Sequence, residues 1–438
     1  MAFVHKIYVN YIDVSSGRSY ELPALLTEKG ILVSHVKYLA HFSYKSRSWQ
    51  ERSCYALRLL LSYINATPEI LSATKTLKSF TESLLIGTID RNLNDPLQLY
   101  WRTRRPTDVN NLLFHITTYT DFIEFTNPEG SSKINPFRKA TSYEERLNWC
   151  AYYHKQANVF LNHLTKKPET EQYLKKTRVI SRYKESVIDY EYATRFPEKY
   201  LEKLLYEGFT RNGIIDYKSI AITMLMNYGG LRKSEIFHIY TSDITLNPNH
   251  KKEALVRIYH PEEGESPDRA LKNRREYLTT NTNYVPRNLY LHTKRLYAGW
   301  KDPVLNSKRG YFEVIFNPPQ KAEEFLSIWV LYLKHQRVEP SKNNQHPFAF
   351  TNTKGDPETI KNFQRQYRNA VERIGLACSL SEGTSEHGHR HAYGFRLSES
   401  GLNNFEIQKA MHHKNPLSCV VYTKPTQDEI RQKLRDAE

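Results

Sequence analysis

Residues 385–395 read SEHGHRHAYGF and place four cationic or proton-carrying side chains within five positions of one another. They are His387, His389, Arg390 and His391. An arginine guanidinium can form two parallel hydrogen bonds with a phosphate and neutralise charge that develops there. A histidine imidazole can donate a hydrogen bond to the phosphate or carry a proton for the attacking group. The pattern therefore favours chemistry on a phosphodiester.

Two further segments carry the remaining groups that such chemistry needs. Residues 228–244, YGGLRKSEIFHIYTSDI, place Arg232 after two glycines and at the start of a predicted helix. Backbone N–H groups at a helix start and a guanidinium together suit a phosphate. Residues 411–425, MHHKNPLSCVVYTKP, contain His413 and Tyr422. A tyrosine hydroxyl can attack phosphorus and hold one strand covalently, which keeps the bond energy for rejoining.

The order of these segments resembles that of the tyrosine recombinase, or phage integrase, family. The pattern GLRxxE occurs at 230–235 and the pattern HxxRH at 387–391. His413 stands nine residues before Tyr422, as the family's last histidine stands before its tyrosine. His389 is a small departure, because an apolar residue is usual there.

The resemblance implies a role for each of these residues. Arg232 and Arg390 clamp the scissile phosphate, and His387 and His413 assist. Tyr422 is the nucleophile and forms a 3′-phosphotyrosyl bond with the DNA. No metal and no other cofactor is required, because transesterification conserves the bond energy and fixed charges stabilise the transition state.

The family also places a lysine in a β-hairpin between the first two boxes, where it protonates the leaving 5′-oxygen. Lys272 is the candidate, because it directly precedes a predicted second strand at 275–280. The predicted hairpin loop is longer than the family's compact form. Lys251, Lys252 and Arg274 therefore stay open as alternatives.

The fold class that the resemblance implies is an α-helical core-binding (SAM-like) domain followed by a mixed α+β catalytic domain. A small β-rich segment precedes them, since residues 1–30 read as short strands around turn-forming residues. We place this segment, whose role is unknown, at 1–30. The helical core-binding, DNA-binding domain is placed at 31–190 and the catalytic domain at 195–438.

Hydrophobic periodicity predicts the individual elements. Helices are expected at 49–66, 108–126, 142–164, 197–208, 216–228, 232–240, 284–299, 320–335, 357–374 and 403–412. Strands are expected at 254–260 and 275–280. The residues after Tyr422 have helical spacing and are expected either to cap their own domain or to dock on a neighbouring protomer.

Composition narrows the partners and the compartment. The chain has 438 residues, with 63 Lys and Arg against 47 Asp and Glu and a formal net charge of +16. This charge favours a nucleic-acid partner, although basic enzymes that never touch DNA are also common. The four cysteines lie far apart without a CxxC pair, which favours a reduced compartment. We expect a cytoplasmic, nucleoid-associated protein, since the N-terminus lacks the apolar core of a signal peptide.

Basic residues in the first half could add phosphate contacts or could be ordinary solvated charges. They are interleaved with Trp49 and Trp101. They comprise Arg47, Arg52, Arg102, Arg104 and Arg105.

The resulting hypothesis is a site-specific DNA recombinase or integrase, which family analogy assigns to a mobile element or prophage. Its partner is double-stranded DNA, and recombination between two duplexes implies a homotetramer on two sites. Accessory DNA-bending or directionality proteins are left open. Two alternatives are a type IB topoisomerase and a DNA-binding regulator on a decayed recombinase scaffold. A zinc site among the clustered histidines is disfavoured, because no acidic or cysteine partner stands at a recognised spacing.

Overall fold

The computed structural model describes residues 4–13, 17–67, 72–127, 133–156, 174–184, 194–291 and 293–423, together with residues 172, 431 and 435. The chain divides into two compact units. Unit 1 is Met1–Ile188 and unit 2 is Asp189–Glu438. None of the helices in the described part combines the length and apolar character needed to cross a membrane.

Unit 1 begins with a three-stranded antiparallel sheet, as the alternating residues near the N-terminus predict. Its strands are β1 His5–Ile12, β2 Ser19–Thr27 and β3 Gly30–Ile31, in the order β1-β2-β3. The central strand β2 packs against the helices that follow, since its Leu22, Ala24 and Leu25 are buried.

Helices make up most of the rest of unit 1. They are α1 Val33–His41, α2 Arg47–Ala66, α3 Ala73–Ile86, α4 Pro106–Thr126 and α5 Ser142–Gln156. The short strands β4 Phe137–Lys139 and β5 Lys176–Arg178 pair with each other. The helices expected at 49–66 and 108–126 are confirmed, and the sequence reading missed α3. Residues 157–164 of the helix expected at 142–164 lie outside the described residues.

Unit 2 opens with a helical segment and is organised around one fully buried helix. The segment comprises a 3-10 turn Glu198–Tyr200, α6 Leu201–Lys203 and a π turn Leu204–Gly208. The two-residue strands β6 Thr210–Arg211 and β7 Ile214–Ile215 form a hairpin before α7 Tyr217–Asn227 and α8 Lys233–Ile236. Every residue of α7 after Tyr217 is buried, so this helix forms the centre of the unit.

A second three-stranded antiparallel sheet lies in unit 2. Its strands are β8 Ile244–Leu246, β9 Ala254–Tyr259 and β10 Tyr311–Glu313, in the order β10-β9-β8. Val256, Ile258 and Phe312 point into the core. The strand expected at 254–260 is confirmed.

The strand expected at 275–280 is wrong, because this segment is α9, Arg274–Asn281. The Asn273 side chain caps the helix by accepting a hydrogen bond from the Glu276 N–H at 2.9 Å. The Arg274 guanidinium is buried and forms a forked ion pair with Asp243, at 2.5 and 2.8 Å. The partner strand of β9 is β10, more than 50 residues along the chain.

The helix expected at 284–299 is also wrong, because the described residues of this range form turns. The buried Arg287 guanidinium donates to three backbone carbonyls. Their oxygens belong to Leu296, Phe237 and Glu358, at 2.9, 3.1 and 2.9 Å. The loop is therefore held by contacts to other parts of unit 2, which the local periodicity does not reveal.

The C-terminal part of unit 2 is helical, as predicted. It contains α10 Lys321–His335, α11 Ile360–Arg373, α12 Glu386–Glu399, α13 Asn404–Ala410, a 3-10 turn Pro416–Cys419 and α14 Val420–Thr423. Helix α12 packs on α7 and carries the histidine cluster. The tail expected to be helical after Tyr422 lies largely outside the described residues. A helical unit with a small sheet and a mixed α/β unit are the fold class expected from the sequence.

Candidate active site

The turn between α7 and α8 positions Arg232. Gly230 has φ +66°, and a Cβ atom there would lie 2.3 Å from the Tyr393 ring. Glycine is therefore required both by the backbone conformation and by the close approach of α12. Arg232 follows as the N-cap residue of α8, at the helix start that the sequence predicts.

The Arg232 guanidinium is held by a buried carboxylate. Its Nη1 lies 2.6 Å from Glu235 Oε1, and its backbone N–H donates to Glu235 Oε2 at 2.7 Å. Glu235 is fully buried, whereas the Arg232 side chain remains partly exposed. The carboxylate therefore orients a guanidinium that solvent, or a ligand, can still reach.

Arg390 joins the three sequence segments. Its side chain is only 4% exposed. Nη1 donates to the backbone oxygen of Gly230, and Nη2 donates to that of Met411 at 2.7 Å. Burial lowers the pKa of Arg390 from its usual value, and the charge of Arg232 lowers it further. Arg232 and Arg390 are thus near enough to act on each other electrostatically, and paired guanidinium groups suit an anion.

His387 and His391 lie one helical turn apart on α12, with ring centroids 4.4 Å apart. Partial enclosure lowers the pKa of His387, and the charges of Arg390, Lys301 and Arg232 lower it further. Burial lowers the pKa of His391 to about 4, with His387 and Arg390 adding to the shift. Both rings are thus biased toward the neutral form, first by burial and then by the charges around them.

His389 has a structural role. Its Nε2 lies 2.8 Å from the Tyr367 hydroxyl, and its ring stacks on Phe196 with centroids 4.3 Å apart. It is fully buried, which lowers its pKa to about 3. The departure from an apolar residue noted in the sequence is therefore accommodated by a hydrogen-bonded core histidine.

Tyr422 lies in the same cluster, on α14. Its side chain is 5% exposed, and its hydroxyl lies 3.0 Å from Nδ1 of His391. A Cβ atom at Gly394 would lie 2.8 Å from the Tyr422 ring, so the ring is seated directly against α12. Burial raises the pKa of Tyr422 to about 12, and the charges of Arg390 and Arg232 oppose this rise.

Of the two adjacent histidines, His412 packs against the core, whereas His413 belongs to the candidate site. The His412 ring stacks on Phe312 with centroids 3.8 Å apart, and its backbone has φ +54°. His413 Nδ1 lies 3.2 Å from Cys419 Sγ. Burial lowers the pKa of His413 to about 3, and the charges of Arg390 and Arg232 contribute.

The candidate lysine is not brought to this cluster. Lys272 is exposed in the turn before α9, where its backbone N–H donates to Glu276 at 2.6 Å. Among the described residues, no hydrogen bond or ion pair links Lys272 to the arginines, histidines and tyrosine of the site. Arg274 is committed to Asp243, and Lys251 and Lys252 lie in the exposed turn between β8 and β9.

Lys301 is an exposed lysine that the sequence analysis did not name. Its charge contributes to the lowered pKa of His387. The neighbouring backbone is tied to the third cluster, since the Val304 N–H donates to the His412 oxygen at 3.1 Å. Lys301 and Lys272 both lie between β9 and β10, so what distinguishes Lys301 is its effect on His387 and the link from Val304 to His412.

The described residues contain no group of three or more His, Cys, Asp or Glu side chains arranged to hold a metal ion. The histidines of α12 instead face arginines, lysine and tyrosine. Their neighbours therefore suit a phosphate better than a cation.

The basic residues of unit 1 gather partly around Tyr55. The Arg104 guanidinium donates to the Tyr55 hydroxyl at 2.8 Å, and Arg58 lies over the same ring at 5.3 Å. Trp49 and Trp101 are instead packed in the core, against Tyr38 and Tyr63 respectively and other aromatic rings. Of the arginines named from the sequence, Arg52, Arg102 and Arg105 are exposed, whereas Arg47 and Arg104 are half-buried.

A comparison with known protein families finds a match in unit 2. Residues 319–429 match the phage integrase family, and this stretch contains His387, Arg390, His413 and Tyr422. The match confirms the resemblance to tyrosine recombinases read from the sequence.

The proteins similar to the chain include a curated relative and several solved structures. "Tyrosine recombinase XerD" of Corynebacterium glutamicum is 29% identical over 106 residues, which cover 24% of this chain and 33% of the relative. The match thus spans about a third of that protein. The XerH site-specific recombinase bound to difH is 14% identical, with TM-score 0.41 over 93% of this chain and 96% of that one. Lambda integrase (residues 75–356) bound to DNA is 10% identical, with TM-score 0.44 over 90% and 96%.

Proposed function

We propose that the protein is a site-specific DNA recombinase that cleaves and rejoins duplex DNA through a 3′-phosphotyrosyl bond. One observation carries the proposal. The Tyr422 hydroxyl contacts a histidine of low pKa and lies within the field of two arginines that come from separate segments. A nucleophile, a proton acceptor and anion-binding groups thus meet at one place.

In the proposed reaction, the Tyr422 oxygen attacks phosphorus and the bond from phosphorus to the 5′-oxygen breaks. The phenolic proton passes to His391, the nearest imidazole nitrogen to the hydroxyl. The leaving 5′-oxygen takes a proton from Lys301, which replaces Lys272 in this role. Rejoining is the reverse attack by a 5′-hydroxyl of the same or another strand, so no ATP is consumed.

The arginines would stabilise the pentavalent transition state. Arg390 is fixed by the carbonyl oxygens of Gly230 and Met411, and Arg232 by Glu235. Groups held in place before the substrate arrives need no reorganisation during the reaction, which is where such charges contribute most. His387 and His413 would donate to the non-bridging oxygens.

We further propose that unit 1 is the core-binding domain and contacts DNA through its basic residues. The net charge of +16 supports a polyanionic partner. Recombination between two duplexes requires four active sites, so we propose that the protein acts as a homotetramer on DNA. Origin in a mobile element or prophage is part of the same proposal, as is a location with the nucleoid.

A covalent-trapping assay tests the function. Purified protein is mixed, in excess EDTA, with nicked duplexes tiled from the DNA that flanks its own gene, and the products are resolved on a denaturing gel. We expect a shifted protein–DNA band with the wild type and no band with Tyr422→Phe, because a benzene ring has no nucleophile. A band that persisted with Tyr422→Phe would refute the assignment.

A matched control keeps the loss of a hydroxyl apart from the loss of a fold. Tyr332 is buried in the same unit, and its hydroxyl accepts from the Thr351 N–H at 2.9 Å. Tyr332→Phe should retain the covalent band. Relaxation of one supercoiled circle without exchange between two duplexes would favour a topoisomerase. Sequence-specific binding with no band on any duplex would favour a regulator.

A further inference from the structure

Cys419 contacts a site histidine that neither the motif nor the mechanism connects to it. It ends the 3-10 turn Pro416–Cys419, which the Asn415 side chain caps by accepting from the Leu417 N–H at 3.0 Å. Its thiol is fully buried, and Sγ lies 3.2 Å from His413 Nδ1. Sulfur and nitrogen at this distance share a hydrogen bond.

The backbone of His413 is held independently of this contact. Its N–H donates to the Gln408 oxygen at 3.0 Å, and its own oxygen accepts from Gln408 Nε2 at 3.0 Å. The position of the residue is therefore set by α13. What Cys419 adds is the only hydrogen bond to the His413 ring that the described residues provide.

The protonation states of the two groups limit what the contact can do. Burial raises the pKa of the Cys419 thiol, so it keeps its proton and can donate it. The lowered pKa of His413, about 3, leaves its imidazole neutral near pH 7. A neutral imidazole carries one N–H, and the hydrogen bond made by one ring nitrogen decides which nitrogen carries it.

We propose that Cys419 is a positioning residue that donates its S–H to His413 Nδ1 and so fixes the ring in the tautomer protonated on Nε2. The relevance to DNA cleavage rests on the proposed function, whereas the tautomer itself does not. In that tautomer Nε2, the ring nitrogen that does not bond to Cys419, carries the N–H and can donate a hydrogen bond. A phosphate oxygen accepts from Nε2–H, whereas a lone pair on the same nitrogen would repel it.

The test reads the tautomer directly. Two-bond ¹H–¹⁵N correlation spectra are recorded on the full chain labelled at histidine, and the His413 signals are assigned from their loss in His413→Gln. The wild type should give a protonated Nε2 and an unprotonated Nδ1. Cys419→Ser should keep this pattern, because a hydroxyl also donates, and Cys419→Ala should give a mixture of tautomers. A wild-type spectrum with the proton on Nδ1 overturns the proposal, as does an unchanged tautomer in Cys419→Ala.

The cleavage rate supplies a second reading on the nicked duplex that gives the covalent band. Cys419→Ala should slow formation of the band about three- to tenfold, which is the range of one weak hydrogen bond. Cys419→Ser should restore most of the rate. Equal slowing by alanine and serine would mean that the residue only fills space, which is also against the proposal.

Cys54 offers a matched control, since it is an equally buried free cysteine in unit 1. Cys54→Ala removes the same sulfur volume and should change neither the His413 tautomer nor the cleavage rate. The proposed role of Cys419 and the proposed recombinase function can be refuted independently of each other. The predicted tautomers without covalent product from any variant would uphold the role of Cys419 and count against the recombinase function.

Discussion

The hydroxyl of Tyr422 lies 3.0 Å from Nδ1 of His391, not next to His387, the histidine that the sequence pattern puts forward. His391 stands one helical turn beyond His387 on α12, so the same face of the helix carries both. The HxxRH pattern contains His391 as its last letter. Its contact with the tyrosine depends on how α14 packs on α12, through the space left by Gly394.

Replacing His391 should slow the attack by Tyr422. His391→Gln removes the imidazole that would accept the phenolic proton, and general-base catalysis is typically worth about 100-fold or more. We expect formation of the covalent band to slow by about that factor while DNA binding is retained. His335→Gln, an exposed change at the end of α10, is the control. Band formation at the wild-type rate in His391→Gln would exclude this role.

Replacing Lys301 and replacing Lys272 should have different effects on the cleavage rate. Lys301→Ala should slow cleavage about 100-fold, because the 5′-oxygen then leaves without a proton. Lys272→Ala should cleave at the wild-type rate. A substrate with sulfur in place of the leaving 5′-oxygen needs no proton donor and should rescue Lys301→Ala. If the sulfur substrate rescues Lys272→Ala instead, the lysine assignment must be reversed.

Gly230 should tolerate no side chain. Gly230→Ala combines a positive φ with a collision against the Tyr393 ring. We expect a loss of about 2–5 kcal/mol in the free energy of unfolding, measured with urea. Gly213→Ala shares the positive φ, but its Cβ meets no atom within 4 Å, so only about 1–2 kcal/mol should be lost. Similar losses for the two variants would mean that the Tyr393 ring moves aside and that its contact with Gly230 adds no further penalty.

Buried histidines should make the protein sensitive to acid. Burial lowers the pKa of His35 to about 3, of His115 to about 4 and of His389 to about 3. An unfolded chain binds these protons first, near pH 6.5. The stability that these groups contribute is therefore complete above about pH 6.5 and is lost as the pH falls toward about 3.

Urea unfolding measured between pH 7.5 and pH 4 should show this loss directly. One pKa unit corresponds to about 1.4 kcal/mol, so a few such groups can remove much of a typical stability of about 5–15 kcal/mol. His35→Gln should flatten the dependence, because glutamine does not titrate and can still bond to Ser53. An unfolding free energy that is constant over this range would contradict the prediction.

Much of the site could be read from the sequence because its chemistry is carried by spaced motifs. The position of Arg232 at the start of α8 follows from two glycines and a helical pattern. Lys301 could not be found this way, since its link to the site depends on the Val304 N–H bonding to the oxygen of His412, in a distant part of the chain. The segment 275–280 alternates like a strand, but a cap at Asn273 and the buried pair of Arg274 with Asp243 make it a helix. Long-range pairings of this kind leave no local signal.

The guanidinium of Arg287 has a consequence for how unit 2 folds. It binds carbonyl oxygens at Phe237, just after α8, at Leu296 in the loop, and at Glu358, just before α11. If any of these segments came away, a buried charge would lose its partners, and that penalty is several kcal/mol. The three segments must therefore become ordered together. Folding of the stretch that carries Arg232 is thereby coupled to folding of the stretch that leads to α12.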